Sequence, residues 1–273
     1  MHRKVAHLKN IASEARQLIL EVACRSKSAH VGSSMSCVDL LVALYFSELN
    51  IDDNDWSNRD MFVLSKAHAA MALYSVLTVK KIIDKKTLMG YLQNNGTLPA
   101  HLDRFKGRGI EVSAGSLGHG FNIALGMAHG YKLKKDSRKV FALIGDGESE
   151  EGSIWEGALF ASKLKIDNFT AILDYNNLQG YGRPREICSY EPVAAKWKAF
   201  GWEALKVDGH NFLEILNVFN KPHKRRPRII IADTTKGKGV SYMEDEMKWH
   251  YFIVTDELKD KAVRSLKRGF DEK

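Results

Sequence analysis

Gly145-Asp146-Gly147 is followed thirty positions on by Asn176, and each lies at the end of an apolar run. The pair offers a carboxylate oxygen and an amide oxygen. These are hard ligands of the kind Mg²⁺ or Ca²⁺ prefers, with a diphosphate or waters completing the shell. The flanking glycines let backbone N–H groups approach phosphate oxygens where the next helix begins. Alone, Gly-Asp-Gly is an ordinary strand-to-helix turn; with Asn176 on a neighbouring strand it becomes a candidate cation and diphosphate site. Ten histidines are present. Four of them, His30, His68, His101 and His250, fall at loop ends on the same side as that turn. Imidazole titrates near neutrality and is suited to moving protons to and from hydroxyl groups. His2, His7, His129, His210 and His223 carry no such argument. The segment Ser113-Ala-Gly-Ser-Leu-Gly-His-Gly120 is a glycine-rich turn, either only opening a closely packed helix or also bordering a ligand. Lys236-Gly-Lys-Gly239 looks like a phosphate loop, but the G-x-x-x-x-G-K-[ST] spacing is absent. So is a G-x-G-x-x-G at the first strand-helix turn, which leaves nucleoside triphosphate and NAD readings weak.

The elements that must position these groups can be read from periodicity. Helical spacing covers Leu8 to Arg25, Cys37 to Ser47, Ala69 to Val79, Phe121 to Lys132, Ser153 to Leu164 and Asn211 to Asn220. Phe62-Val-Leu64, Lys139 to Ile144, Phe169 to Leu173, Trp202 to Val207 and Arg228 to Ala232 read as strands. Their unbroken apolar runs suit strands covered on both faces, and their alternation with helices predicts a parallel sheet. The expected fold class is α/β: one domain over residues 1–273, with a doubly wound, mostly parallel sheet flanked by helices. Ligands of such a fold sit at the carboxyl ends of the strands. Thr255 to Lys273 reads as a surface helix with a frayed end.

Composition narrows the class further. The chain has 273 residues, 44% apolar and 27% charged, with only 5 prolines, which excludes a disordered tail, a collagen-like chain and a disulfide scaffold. Cys24, Cys37 and Cys188 form no C-x-x-C pair and read as reduced thiols. No apolar run approaches a membrane span and no signal-peptide core is present, so a soluble cytoplasmic protein is expected, with no membrane partner. The 41 basic against 33 acidic residues give a net charge of +8. That excess suits small anions such as phosphates as well as nucleic acid. The densest basic stretch, Lys221 to Arg228, reads as a solvated loop before a strand. It has no accompanying nucleic-acid-binding signature, so no nucleic-acid partner is expected.

The Gly-Asp-Gly to Asn spacing is that of the thiamine-diphosphate enzymes, and the chain resembles the N-terminal half of transketolase. The matching segments run in order: Ser28-Ala-His-Val-Gly32, Asp60 to His68, Leu98-Pro-Ala-His101, Gly115 to Gly120, Gly145 to Gly152, Asp174 to Gly182, Lys236 to Gly239 and Trp249-His250. They cover nearly the whole chain. The resemblance implies the thiamine-diphosphate-binding fold of the diphosphate domain. It implies Asp146, Asn176 and the backbone carbonyl of Leu178 as ligands of Mg²⁺, with Ca²⁺ as a possible substitute. Gly147 N–H, His68 and His250 would contact the diphosphate, with Gly145 in the same turn, while Gly115 and Leu117 would border the pyrimidine. His30, His101 and His250 would act catalytically on sugar hydroxyls and the reacting carbon. Glu151 matches an acidic residue near the subunit interface between cofactors. Three departures, His30-Val-Gly-Ser-Ser34, His119 and Tyr251-Phe252, lie towards the substrate and bear on the sugar more than on the cofactor.

A full-length transketolase also has a pyrimidine-binding domain, which supplies the glutamate that activates the cofactor, and a C-terminal domain. The resemblance therefore implies a separately encoded C-terminal subunit, an α₂β₂ assembly, and sugar or sugar-phosphate substrates exchanging a two-carbon ketol unit. Rival expectations are a subunit using a 2-oxo acid donor, like deoxyxylulose-phosphate synthase, and a non-catalytic paralogous subunit.

Overall fold

The computed structural model describes residues 1–52, 55–104, 108–188 and 190–271, with side chains to residue 266. Five strands, β1 (Met61–Leu64), β2 (Val140–Gly145), β3 (Phe169–Tyr175), β4 (Glu203–Asp208) and β5 (Arg228–Asp233), form one sheet in the order β1-β2-β3-β5-β4. Every pairing is parallel. The three central strands β2, β3 and β5 are almost wholly buried, as expected for a sheet with both faces covered. Edge strand β4 exposes Lys206 and half-buries Ala204 and Leu205, giving the mixed pattern of an edge that packs helices on only part of its length.

Helices α1 (His2–Ser26), α2 (Val31–Ser36), α3 (Val38–Ala43), α4 (Ala70–Val79) and α5 (Lys85–Met89) surround β1 in the chain. α6 (His119–Leu133), α7 (Gly152–Lys163), α8 (Pro184–Ile187), α9 (Val193–Ala199), α10 (Phe212–Phe219) and α11 (Asp256–Asp271) follow. α6 lies on β1 and β2, α9 and α10 lie on β4, and α1 packs against α3, α4 and α11. Phe121 of α6, Phe169 of β3, Trp197 of α9 and Trp202 form one aromatic cluster, with the two indoles 4.8 Å apart and Phe121 stacked on Trp202 at 6.0 Å. Such rings bury large apolar area and lock their helices to the sheet.

Three expectations shift. The helix expected over Cys37 to Ser47 is preceded by α2 and ends in a π-helical turn at Leu44–Glu48. The glycine-rich turn is shorter than expected, because α6 already starts at His119 with Gly118 at φ 80 as its N-cap. Gly120 is thus helical, and a methyl group there would lie 2.7 Å from Ser65 Oγ, so close packing rather than turning explains this glycine. The end of the basic stretch is not solvated: Arg228 is buried and donates to Glu203 at 2.9 Å. The terminal helix reaches Asp271; Glu272 and Lys273, the rest of the expected frayed end, lie outside the described residues.

Ile230 sits in β5 between β3 and β4, with neighbours Ile172 and Leu205. Ile230→Ala is expected to cost about 2–5 kcal/mol, read as a lower urea midpoint at unchanged slope. A loss below ~1 kcal/mol would place the core elsewhere.

Candidate active site

Register brings the site together. Gly145 pairs with Asp174, so the chain leaves β2 at Asp146 and β3 at Asn176 on the same edge of the sheet. Asp146 accepts from Gly147 N–H at 2.9 Å and from Leu178 N–H at 3.2 Å. Leu178 N–H also reaches Asn176 Oδ1 at 3.2 Å. Asn176 Nδ2 donates to Asp174 Oδ2 at 3.4 Å, which turns the amide oxygen away from Asp174. The Leu178 carbonyl accepts from Lys236 Nζ at 2.7 Å. Asp146, Asn176 and Leu178 are therefore grouped as expected.

This donor set fits a divalent cation. It consists of one carboxylate, one amide oxygen and one carbonyl, all hard oxygens. Asp146 is 5% exposed, and among the described residues no lysine, arginine or histidine nitrogen pairs with it. Burial pushes its carboxyl above the usual carboxylate range. A buried carboxylate satisfied only by two backbone amides is a site built to receive positive charge. Among the described residues no group of three or more His, Cys, Asp or Glu forms a metal site, so a cation here would need ligands from a bound anion.

The four singled-out histidines converge from four separate segments. His30 caps α2 at φ 70, His68 lies in the turn after β1, His101 in the loop after α5, and His250 ends the short 3-10 turn Met247–His250. The His30 ring lies 5.1 Å from His250, 5.5 Å from His68 and 6.2 Å from His101, and His68 lies 5.7 Å from His250. His30 N–H donates to the His250 carbonyl at 3.0 Å, fastening the first helix pair to the last loop. Lys236 Nζ, 3.0 Å from His250 Nδ1 and bonded to Leu178 O, connects the histidine cluster to the Asp146 turn.

Gly115 lies beside His101, where an added methyl would meet the ring at 3.9 Å. Leu117 is 37% exposed, and Glu151 is exposed as the N-cap of α7, near Gly118. These three, with His101, form the open rim and are not drawn into the Asp146 cluster.

Four residues escaped the sequence reading. Lys66 is buried and ion-paired with Asp174, and it also donates to Ser33 O at 3.1 Å. Asp174 further accepts from Ser36 Oγ at 2.6 Å and Thr234 Oγ1 at 2.5 Å. Glu148 accepts from Ser65 Oγ, from Gly118 N–H at 3.0 Å and from Gly145 N–H at 3.3 Å, tying three site loops together. Lys236 is the fourth. The available signal was a charged residue directly abutting an apolar strand, as in Leu64-Ser-Lys66 and Leu173-Asp174. His210, for which no site role was read, is structural: it contacts Asp39 at 2.7 Å and accepts from Thr235 N–H at 2.8 Å, beside the Arg16–Asp39 pair.

Burial sets the charge of the site. It lowers His30 to about 4, assisted by His101, Lys236 and Lys66, and His250 to about 3, assisted by Lys236, His30 and Lys66. His68 is likewise held well below its ordinary value by burial and then Lys66. Burial also lowers Lys236 to about 8, with Lys66 adding repulsion. At neutral pH these three imidazoles are uncharged, while Lys66 and Asp174 stay ionised as a pair. A hollow of about 440 Å³ lined by Lys132, Lys139, Asn168 and His223 opens before β2 and β3, at the opposite edge, and contains none of these groups.

Residues 7–273 match the family described as transketolase, thiamine diphosphate binding domain. The chain is 37% identical over 261 residues to a Phocaeicola vulgatus protein named as one of the subunits of apulose-4-phosphate transketolase, covering 94% of this chain and 92% of that protein. It is 38% identical over 273 residues to a Clostridium protein named as one of the subunits of 6-deoxy-6-sulfo-D-fructose transketolase, covering 98% and 99%. Human transketolase is 36% identical, covering 97% of this chain but 42% of that protein. Among solved structures, transketolase from Campylobacter jejuni aligns at TM-score 0.87 and 29% identity over 95% of this chain and 42% of that one. The chain thus spans nearly the whole of the two subunits and less than half of the longer transketolases.

The neutral histidines make stability pH-dependent. Unfolded, each takes a proton near 6.5; folded, His30 and His250 do so only at about 4 and about 3. The unfolded chain therefore binds more protons below about pH 6.5, and stability falls as pH drops from there towards 4. Urea midpoints measured from pH 7 to pH 4 should decline, and His30→Asn with His250→Gln should flatten the decline. A flat wild-type profile would contradict buried neutral imidazoles.

Proposed function

The chain belongs to the transketolase thiamine-diphosphate-binding family, and we propose that it is the diphosphate-binding subunit of a two-subunit transketolase. It acts in the cytoplasm on a ketose donor and an aldose acceptor, passing a two-carbon ketol unit between them. Relatives named as subunits of transketolases support this reading over a 2-oxo acid donor. The observation that carries it is the joining of two clusters by Lys236: the Asp146, Asn176 and Leu178 oxygens on one side, and the four histidines on the other.

In this reading Asp146, Asn176 and the Leu178 carbonyl hold Mg²⁺, or Ca²⁺ in its place. Gly147 N–H, His68 and His250 hold the diphosphate of thiamine diphosphate, and the cations of Lys66 and Lys236 lower the cost of bringing its charge inside. When bound, thiamine diphosphate supplies the carbanion that makes and breaks the carbon–carbon bond. The protein supplies position and proton traffic. His30, held uncharged by burial, accepts a hydrogen bond from a substrate hydroxyl at an imidazole nitrogen. His101, on the exposed rim, faces the sugar hydroxyls. His250 Nδ1 faces Lys236, which leaves Nε2 for the ligand. The Glu148 clamp fixes the glycine loop that carries Gly115 and Leu117 along the pyrimidine side.

The open rim at Gly115, Leu117 and Glu151 is where the second subunit closes the site, in an α₂β₂ assembly with the cofactor at the interface. In this reading that subunit brings the glutamate that activates the cofactor, and the chain without it is inactive.

Isothermal titration of thiamine diphosphate with Mg²⁺ into this chain, alone and mixed with the C-terminal subunit, tests the reading. Tight binding is expected in the mixture. Asp146→Ala should weaken it beyond the ~10–100-fold that loss of an outer-shell partner costs. Unchanged affinity in Asp146→Ala, or robust turnover by the lone chain, would overturn the proposal.

A further inference from the structure

The Tyr251-Phe252 pair that follows His250 is used by none of the steps above. Trp249 anchors this segment: it is buried, and its indole N–H donates to the Tyr242 carbonyl at 3.1 Å. His250 is held by Lys236. Immediately afterwards the chain emerges, and Tyr251 is 53% exposed. Its ring nevertheless lies 4.6 Å from the His250 ring and 6.5 Å from the His30 ring, at the mouth of the histidine cluster.

The position of the phenol is matched by the opposing loop. A methyl group on Gly180 would lie 2.6 Å from the Tyr251 hydroxyl and 3.4 Å from His250 Nε2. Gly180 has no positive φ that would call for glycine; a side chain there would push the phenol from its place, while the imidazole lies at ordinary contact distance. Tyr181, 86% exposed, continues the aromatic rim. Three cations of this region are held by other groups: Lys236 by Leu178 and His250, Lys66 by Asp174, and Arg183 by Asp245. What the chain presents beside the imidazoles is therefore an uncharged aromatic face and a hydroxyl. That chemistry packs on the C–H face of a polyol and hydrogen-bonds its hydroxyls.

We propose that Tyr251, seated over Gly180, is a specificity-determining residue that reads the hydroxyl-bearing carbon chain beyond the two transferred carbons. This rests on the ketol-transfer reading. Sites that hydrogen-bond a substrate hydroxyl discriminate strongly against substrates lacking it, so the phenol favours an aldose with a longer hydroxyl-bearing chain over a two-carbon aldehyde.

The test uses the chain reconstituted with its C-terminal subunit and compares two acceptors, glycolaldehyde and D-ribose. Tyr251→Phe keeps the ring and removes the hydroxyl. It is expected to lower the ratio of kcat/KM for D-ribose to that for glycolaldehyde about tenfold, mainly through KM for D-ribose; tenfold is the ~1.4 kcal/mol of one hydrogen bond. Gly180→Ala should displace the phenol and lower the same ratio, but add less than twofold in the Tyr251→Phe background, because the colliding oxygen is gone. A ratio within twofold of wild type in Tyr251→Phe, or additive effects of the two changes, would overturn the assignment. So would a loss of titrated cofactor affinity in Tyr251→Phe that matches its loss of turnover, since Tyr251 would then only support His250. If the wild-type complex transfers no ketol unit to any aldose, the proposed function falls as well; transfer with an unmoved ratio removes Tyr251 alone.

Discussion

The arrangement hangs on one buried carboxylate. Asp174 is fully enclosed at the end of the central strand β3, and it accepts bonds from Ser36, Lys66, Asn176 and Thr234. Those four donors come from α2, the turn after β1, the turn after β3 and the loop after β5. A single group thus fixes the relative positions of segments spread over most of the sequence. An unpaired charge in such a place would cost several kcal/mol, so the pair with Lys66 and the neutral donors must form together as the domain packs. One further consequence is chemical: by taking the Asn176 N–H₂, Asp174 turns the amide oxygen towards the Leu178 N–H that also reaches Asp146.

Electrostatic consistency extends outward from that pair. Lys66 is neutralised by Asp174, whereas Lys236 has no carboxylate within bonding distance among the described residues and is lowered to about 8 by burial. The site therefore holds one compensated and one uncompensated ammonium, beside a carboxylate raised by burial and three imidazoles kept uncharged. Of these groups, Lys236 and Asp146 are the two without an opposite charge within bonding distance among the described residues. A dianionic phosphate group and a divalent cation arriving together would relieve the strain on Lys236 and Asp146 at once, which is the electrostatic complement expected of a cofactor pocket rather than of a structural core.

Much of this was legible in the sequence because it rests on strong, local signals. Apolar runs such as Phe169 to Leu173 and Ile229 to Ala232 gave the strands within a residue or two, and the Asp146 to Asn176 spacing placed two oxygens on neighbouring strands. The histidines were singled out by their loop positions and the resemblance to transketolases, and the fold brought all four together. Less visible were features whose cause is tertiary. The start of α6 at His119 depends on Gly118 adopting a left-handed conformation and on Gly120 meeting Ser65. Lys66, Glu148, Asp174 and Lys236 lie in the matching segments but carried no role of their own, because burial and pairing belong to the assembled fold. Short α5, α8 and α9 carry too few turns for a periodic pattern.

The exposed rim separates two kinds of site residue. Those that need only this chain to be positioned, Asp146, Asn176, His68 and His250, are enclosed or tied to buried groups. Gly115 and Leu117, expected beside the pyrimidine, Glu151, expected at the subunit boundary, and His101, one of the three histidines expected at the reacting carbon, stand on the open side. A cofactor bound by this chain alone would have its diphosphate and cation in a low-dielectric cleft, where fixed charges act strongly, and its reacting end in water, where they do not. Binding and catalysis are thus separable in this architecture. In the proposed reading this chain holds the charged end of the cofactor, and exclusion of water from the other end falls to whatever covers the rim.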